Sequence, residues 1–139
     1  MQTETDGNEA MNRVLTDLLE NLGVDSIGDM DLGEAYKIDM TDTVFMDLHV
    51  EKTQPNRLSV AHYDELNGDP LRDPEIVFKP VDGQFVPVEI QRHTVLGEQY
   101  DHDPNGIAGV DGLLETWANN LREQGHVEAA NDVDGQLGA

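Results

Sequence analysis

Near the start of the chain, apolar residues recur every three or four positions, which is the spacing of one face of an α-helix. A helix with such a stripe buries that face against a core. Asp6 or Asn8 can cap its first turn, and Gly23 suits the left-handed residue that commonly ends a helix. We therefore predict a helix over residues 8–22, with an apolar stripe of Met11, Val14, Leu15, Leu18, Leu19 and Leu22.

The same spacing returns near the end of the chain and predicts a second helix over residues 110–124, with Gly125 as its stop. Trp117 is the only tryptophan, and its large ring in the middle of the stripe favours a role as a core anchor. The stripe consists of Val110, Leu113, Leu114, Trp117 and Leu121.

Between these helices, apolar and polar residues alternate in four stretches, the pattern of half-buried strands. Asp82-Gly83 predicts a tight hairpin turn before the last stretch, because both residues tolerate a positive φ. Pro87 cannot donate to a neighbouring strand, so it places the fourth strand at a sheet edge or at a bulge. The four strands are residues 43–52, 57–65, 74–80 and 85–92.

The order of one helix, four strands and one helix predicts an α+β fold. Short connections between the strands suit hairpins, which indicates a four-stranded antiparallel meander with both terminal helices on one face. The Gly- and Asp-rich segments 24–42 and 97–109 are expected to be loops, the first with a short element near residues 35–38. We expect one domain over residues 8–125, with disordered tails at residues 1–7 and 126–139.

Charge dominates the composition: 29 Asp and Glu stand against 8 Lys and Arg, a formal net charge of -21 in 139 residues. Such a surface repels itself at ordinary ionic strength. Molar salt screens charges beyond roughly 3 Å, so the composition is typical of a cytoplasmic protein from an extreme halophile. An alternative interpretation is an acidic protein that imitates DNA phosphates and so occupies a DNA-binding enzyme.

Other features of the composition exclude several classes of protein. Without cysteine, the chain has no disulfide framework and no thiolate metal site. No apolar run reaches the ~20 residues of a membrane span, and the first residues do not resemble a signal peptide, so we expect a cytoplasmic location. Direct binding to nucleic acid is not expected, because no cluster of Lys and Arg is present to contact phosphates.

The densest polar run, from His62 to Glu75, connects the second and third predicted strands. It follows the pattern H-Y-x-x-x-N-G-D-x-x-R-D-P-E and is supported by the later run from Trp117 to Gly125. Together these residues resemble a small domain of unknown function that is found on bacterial plasmids, phages and mobile elements. The resemblance covers about residues 57–125 and implies an accessory protein of a mobile element, without implying an activity.

The His62–Glu75 run has two interpretations from its residues alone. In the first, the Asx side chains bond to nearby backbone groups and Arg72 forks onto a carboxylate, so that the segment is only a structured turn. In the second, it is a binding surface, or a site where carboxylates hold a divalent ion and His62 acts as base or ligand. The candidate binding residues are His62, Tyr63, Asn67, Asp69, Arg72, Asp73 and Glu75.

A second candidate lies at residues 101–106, which match the first half of an EF-hand calcium loop. The candidate ligands are Asp101, Asp103 and Asn105, which supply oxygens at alternate positions. Gly112 stands at the twelfth position, where the calcium loop needs a bidentate Glu. A turn that leads into the last helix is therefore the expected role, and no cofactor is expected beyond Ca²⁺ or other cations from high salt.

These observations favour a non-catalytic accessory or interaction module with an unidentified protein partner, acting as a monomer or a homodimer. One alternative is a metal-dependent hydrolase that uses the 62–75 segment, with His62, Asp69, Asp73 and Glu75 converging on a pocket. The other alternative is the acidic DNA mimic.

The halophile interpretation predicts a lower thermal unfolding midpoint in about 0.1 M KCl than in about 3 M KCl, because dilute salt screens the carboxylates less. Circular dichroism at both concentrations measures the shift. Sucrose in dilute KCl is the control, since it favours burial by exclusion without screening charge. Equal midpoints in the two salt concentrations would contradict the interpretation.

Overall fold

The computed structural model describes residues 8–40, 45–66, 69–94 and 97–133, and for residues 63–73 and 93–94 within those ranges only the strands are described. The described residues form three α-helices: α1 (Glu9–Asn21), α2 (Asp111–Glu123) and α3 (His126–Ala129). Short 3-10 turns follow α1 and α3, at Ile27–Asp29 and Ala130–Asp132. Both sequence-predicted helices are confirmed to within one residue at each end.

Six antiparallel strands form one sheet in the described residues, in the chain order β1-β2-β3-β4-β5-β6. The α+β class and the antiparallel meander are confirmed, and the predicted number of four strands is wrong. The strands are β1 (Ala35–Ile38), β2 (Asp47–Gln54), β3 (Arg57–Leu66), β4 (Asp69–Val81), β5 (Gln84–Thr94) and β6 (Gly97–His102).

The two additional strands are the outer ones, and both arise from segments that were expected to be loops. β1 is only four residues long, although Tyr36 and Ile38 on it are buried. β6 is exposed at every position and carries no apolar alternation. Its backbone pairs with β5 from Glu89↔His102 to Thr94↔Gly97. The alternation of apolar and polar residues in a sequence predicts which strands have a buried face. A strand that is held only by backbone pairing has no such alternation and cannot be predicted from it.

Helix α1 begins at the predicted cap, where the Asn8 side chain accepts a hydrogen bond from the Met11 N–H. It ends in a Schellman motif, in which Gly23 has a φ of +83° and donates to the Glu20 carbonyl. The Val24 N–H reaches back to the Leu19 carbonyl, and both of these side chains are buried. The motif therefore turns the chain sharply and fixes an apolar corner after the helix.

The core lies between one face of the sheet and the helices. A row of paired residues crosses five strands on this face, and each of its members is buried. Trp117 on α2 belongs to the same core cluster, as its place in the apolar stripe predicted. The row is Tyr36, Val50, Val60, Ile76 and Ile90.

Two local predictions about the last strands are confirmed. Asp82 and Gly83 have φ values of +50° and +81°, the left-handed pair that a two-residue hairpin needs. Pro87 lies at a bulge, where the register between β4 and β5 shifts at Val77/Phe78. Its carbonyl accepts from the Ile107 N–H, so the segment after β6 continues along this strand.

The chain does not leave the fold at Gly125, where the sequence-based domain boundary was placed. Gly125 has a φ of +94° and turns the chain into α3. His126, Val127 and Ala130 are buried, and the Asn21 side chain of α1 donates to the Val127 carbonyl over 2.8 Å. This segment consists mainly of small and polar residues, so no apolar periodicity predicted a helix there. No helix among the described residues is long and apolar enough to cross a membrane.

One of the three lysines is buried. Lys52 is 7% exposed, and its Nζ donates to the carbonyls of Ile27 and Met30 over 2.9 and 2.8 Å. These carbonyls belong to the 3-10 turn after α1 and to its C-cap. The ammonium thereby joins that turn to β2 and satisfies two carbonyl groups at the cost of its own hydration.

Replacing Lys52 tests whether its contacts with the 3-10 turn stabilise the fold. Lys52→Met keeps the aliphatic stem and removes both ammonium hydrogen bonds, and the Ile27 carbonyl keeps only the Met30 N–H as donor, so we expect a loss of about 1–3 kcal/mol in the free energy of unfolding. The control is Lys79→Met, because Lys79 donates to the Pro104 carbonyl at an exposed site, where the expected loss is about 0.5 kcal/mol or less. Urea unfolding measures both changes, and equal losses would show that the buried contacts add nothing.

Candidate functional site

The segment 62–75, expected to be a loop, is mostly strand. The register pairs Tyr63 with Arg72 and Leu66 with Asp69, so β3 and β4 extend to the tip of the hairpin. Asn67 lies outside the described residues. For Tyr63, Asp69, Arg72 and Asp73 the structure gives positions on the two strands, and their role in binding stays a prediction.

The structure separates the first and last residues of the predicted site. His62 follows the core residues Leu58 and Val60 at every second position, and its ring contacts Trp117 of α2. Glu75 directly precedes the core residue Ile76 and therefore points to the opposite face of the sheet. The sheet lies between the side chains of His62 and Glu75, so these two do not share one site in the described structure.

On the helix side, His62 belongs to an aromatic cluster with Trp117 and His126. The rings of His62 and Trp117 meet edge to face with centroids 5.4 Å apart, and the Trp117 Nε1 donates to the His62 Nε2 over 3.3 Å. An accepting Nε2 belongs to a neutral imidazole that carries its proton on Nδ1. His126 lies on the other side, with ring centroids 5.2 Å apart.

His126 has no exposed surface. Its Nε2 lies 2.8 Å from the Met46 carbonyl and donates to it, while its Nδ1 is buried and makes no hydrogen bond among the described residues. Burial lowers the pKa of His126, and this effect exceeds the opposing effects of the Met46 and Leu121 backbone and of the Asp47 carboxylate. The geometry and the pKa direction agree on a neutral imidazole.

On the helix-free face, a row of polar side chains crosses the sheet. The Glu75 Oε2 accepts from the Ser59 hydroxyl over 2.6 Å, and Ser59 is only 2% exposed. Lys37 forms an ion pair with Asp47 over 3.6 Å. The row that contains Glu75 consists of Lys37, His49, Ala61, Glu75, Gln91 and Tyr100, one from each strand.

The calcium-like segment is partly strand and partly turn. Asp101 belongs to β6, while the Asp103 side chain accepts from the Asn105 N–H over 2.9 Å. That bond is the expected turn chemistry. Among the described residues, no group of three or more His, Asp or Glu side chains is arranged to hold a metal ion. Calcium binding by these residues stays a prediction.

A groove of about 460 Å³ lies between the end of α1 and the β4–β5 turn. The Schellman motif at the end of α1 forms one wall of the groove, and the Asp82-Gly83 hairpin and Phe85 form the other. The Asn12 side chain of α1 accepts from the Phe85 N–H over 2.8 Å and holds the walls together. The groove is lined by Thr16, Leu19, Glu20, Val24, Asp25, Ser26, Ile27, Pro80, Gly83, Gln84 and Phe85.

Sequence reasoning missed both the His126 contact and the groove. His126 sits in a segment of small and polar residues, and only its position after Gly125 marks it as part of a second helical turn. The groove joins residues about 60 positions apart in sequence, and no local pattern reports that contact.

With this geometry established, the comparison with known families identifies the chain. Residues 13–127 match the family described as a domain of unknown function (DUF6908), and the protein belongs to that family. The expected resemblance to a domain of unknown function is thereby supported, while the link to mobile elements stays a prediction. No curated protein and no solved structure gives a significant match.

The Ser59–Glu75 bond gives a test of the helix-free face. In a double-mutant cycle of Ser59→Ala and Glu75→Ala, we expect a coupling of about 1–2 kcal/mol in the free energy of unfolding, because the bond is short, charge-assisted and half-buried. Ser26 and Asp29 form the matched pair, exposed and 3.1 Å apart, for which we expect under ~0.5 kcal/mol. Equal couplings would reject a special role for the buried bond.

Proposed function

We propose that this protein is a non-catalytic interaction module that binds a basic, amphipathic segment of a partner protein in the groove between α1 and the β4–β5 turn. The observation that carries the proposal is the groove itself, since its volume of about 460 Å³ is that of a binding pocket. Its apolar lining and acidic rim define the chemistry of the partner.

Apolar contact provides the affinity. Leu19, Val24 and Ile27 form the floor and Phe85 the opposite wall. An apolar side chain of the partner that enters this groove leaves water, and this gain persists in brine, where molar salt screens ionic attraction beyond roughly 3 Å. A protein that works in high salt therefore needs such a surface more than it needs a charged one.

Charge gives the groove its selectivity. Glu20 and Asp25 are exposed at the rim, and no Lys or Arg of the described part of the chain lines the groove. A partner with Lys or Arg beside its apolar anchor forms contact ion pairs with these carboxylates, whereas an acidic partner is repelled. This preference for a basic partner depends on charges in direct contact. It therefore persists in salt that screens electrostatic attraction at longer range.

The proposal also includes a surface that is adapted to high salt and a role as an accessory protein of a mobile element. The net charge of -21 and the three lysines support adaptation to salt. The loop predicted over residues 62–75 is a hairpin arm instead, and its polar side chains remain a candidate for a second contact with the partner.

A synthetic helical peptide with alternating Leu and Lys pairs tests the groove directly. We expect saturable binding in about 2 M KCl, with NMR shifts at the amides of Leu19, Val24 and Phe85. Asp25→Lys should weaken binding several-fold, because it places a cation at the rim. Glu115→Lys is the matched control: it makes the same charge change at an exposed position of α2, and it should leave the affinity unchanged.

Two results would refute the proposal. One is equal weakening by Asp25→Lys and Glu115→Lys, which would mean that the peptide is attracted by the whole acidic surface. The other is tighter binding of a peptide in which Glu replaces Lys, which would exclude a basic partner.

A further inference from the structure

We propose that His62 and His126 form a pH-sensitive latch, which holds residues 126–133 against the sheet when both imidazoles are neutral and releases them in mild acid. This proposal is independent of the groove and of its occupant. It depends on the geometry of two rings, of which one is held as a hydrogen-bond acceptor and the other is buried as a donor.

The first ring is fixed as an acceptor. The His62 Nε2 takes the indole N–H of Trp117, and Trp117 is 4% exposed within the core. Protonation of that nitrogen places two N–H groups against each other over 3.3 Å. The hydrogen bond is then lost, and the buried indole N–H loses its acceptor on the sheet.

The second ring is fixed as a donor. The Nε2 of His126 donates to the Met46 carbonyl, and this bond joins α3 to the start of β2. Protonation adds an N–H at the buried Nδ1, and the cost of burying that charge exceeds the favourable effect of the Leu121 backbone. With both rings charged, two cations lie with centroids 5.2 Å apart, inside the fold and largely out of reach of salt.

Among the described residues, the charges around His126 do not compensate for its burial. From β2, the Asp47 carboxylate raises the pKa of His126, but it also accepts from the Met40 N–H over 2.6 Å and pairs with Lys37. From α1 and α2, Asp17 and Arg122 form their own exposed ion pair over 3.0 Å. On the segment itself, Glu128 and Asp132 are exposed. Burial therefore decides the direction, and the pKa of His126 is lowered.

The sign of the pH effect follows from linkage. A folded-state pKa below the unfolded value of 6.5 means that the open segment binds more protons than the docked one. The stability of docking is complete above that value and is lost as the pH falls below it, towards the lowered pKa. One imidazole accounts for a change of up to about tenfold in the opening equilibrium per pH unit.

Hydrogen exchange with the whole chain in about 2 M KCl is the test, because the salt suppresses repulsion among the carboxylates. We expect the protection of amides in residues 126–133, corrected for the intrinsic rate, to fall several-fold between pH 7.5 and about pH 5.5. Amides of Ile76 and Phe78 in β4 are the internal reference. The rest of the sheet should keep its protection.

Variants separate the latch from general acid effects. His126→Gln retains a donor for the Met46 carbonyl and does not titrate, so the fall in protection should be much smaller than in the wild type, and only the contribution of His62 should remain. His102→Gln is the matched control, because His102 is exposed on β6 and should behave as the wild type. His62→Gln should reduce the pH dependence without abolishing it.

Loss of protection to the same extent in the wild type and in His126→Gln would overturn the proposal. Should that variant fail to fold, NMR titration of the imidazole nitrogens in the wild type decides the question. Protonation of both rings with full protection of residues 126–133 would refute the latch, and protonation coincident with opening would support it.

Discussion

The register between β3 and β4 is the constraint on which the rest of this structure depends. Val60 pairs with Ile76 at the centre of the sheet, and both are completely buried against the helices. Because side chains alternate along a strand, a slip of β4 by one residue would turn Ile76 to the helix-free face and bring Glu75 into the core. The same pairing therefore decides that His62 meets Trp117 and that Glu75 meets Ser59 on opposite faces.

An acidic chain has few cationic side chains. In the described structure, each of the three lysines connects two segments of the chain. Lys52 holds the turn after α1, Lys37 pairs with Asp47 at the edge, and Lys79 donates to the Pro104 carbonyl beyond β6. Each contact connects segments that are distant in sequence. Carboxylates cover the surface and lysines fasten the segments together, so the scarcity of lysine does not prevent lysine from stabilising the fold.

Elements whose buried residues recur at a regular spacing can be predicted from the sequence. Elements without such a spacing cannot. Both long helices and the Asp82-Gly83 turn follow from local pattern and from residues that tolerate positive φ. β6 has no buried face, and α3 is four residues long, so neither carries a period that can be read. The candidate site was predicted as one loop because the residues are neighbours in sequence, whereas strand alternation sends His62 and Glu75 to different faces.

The last turn of α1 connects the two regions that we propose to be functional. Leu19 and Glu20 line the groove, and the next residue, Asn21, donates to the Val127 carbonyl of α3. When α3 departs from the sheet, this hydrogen bond is lost, and the end of α1 loses a restraint that the Schellman motif alone must replace. Coupling between distant sites requires an element with two arrangements that both sites bias. In our proposal the docked and released states of α3 are the two arrangements, and the end of α1 is the element that both the groove and α3 contact.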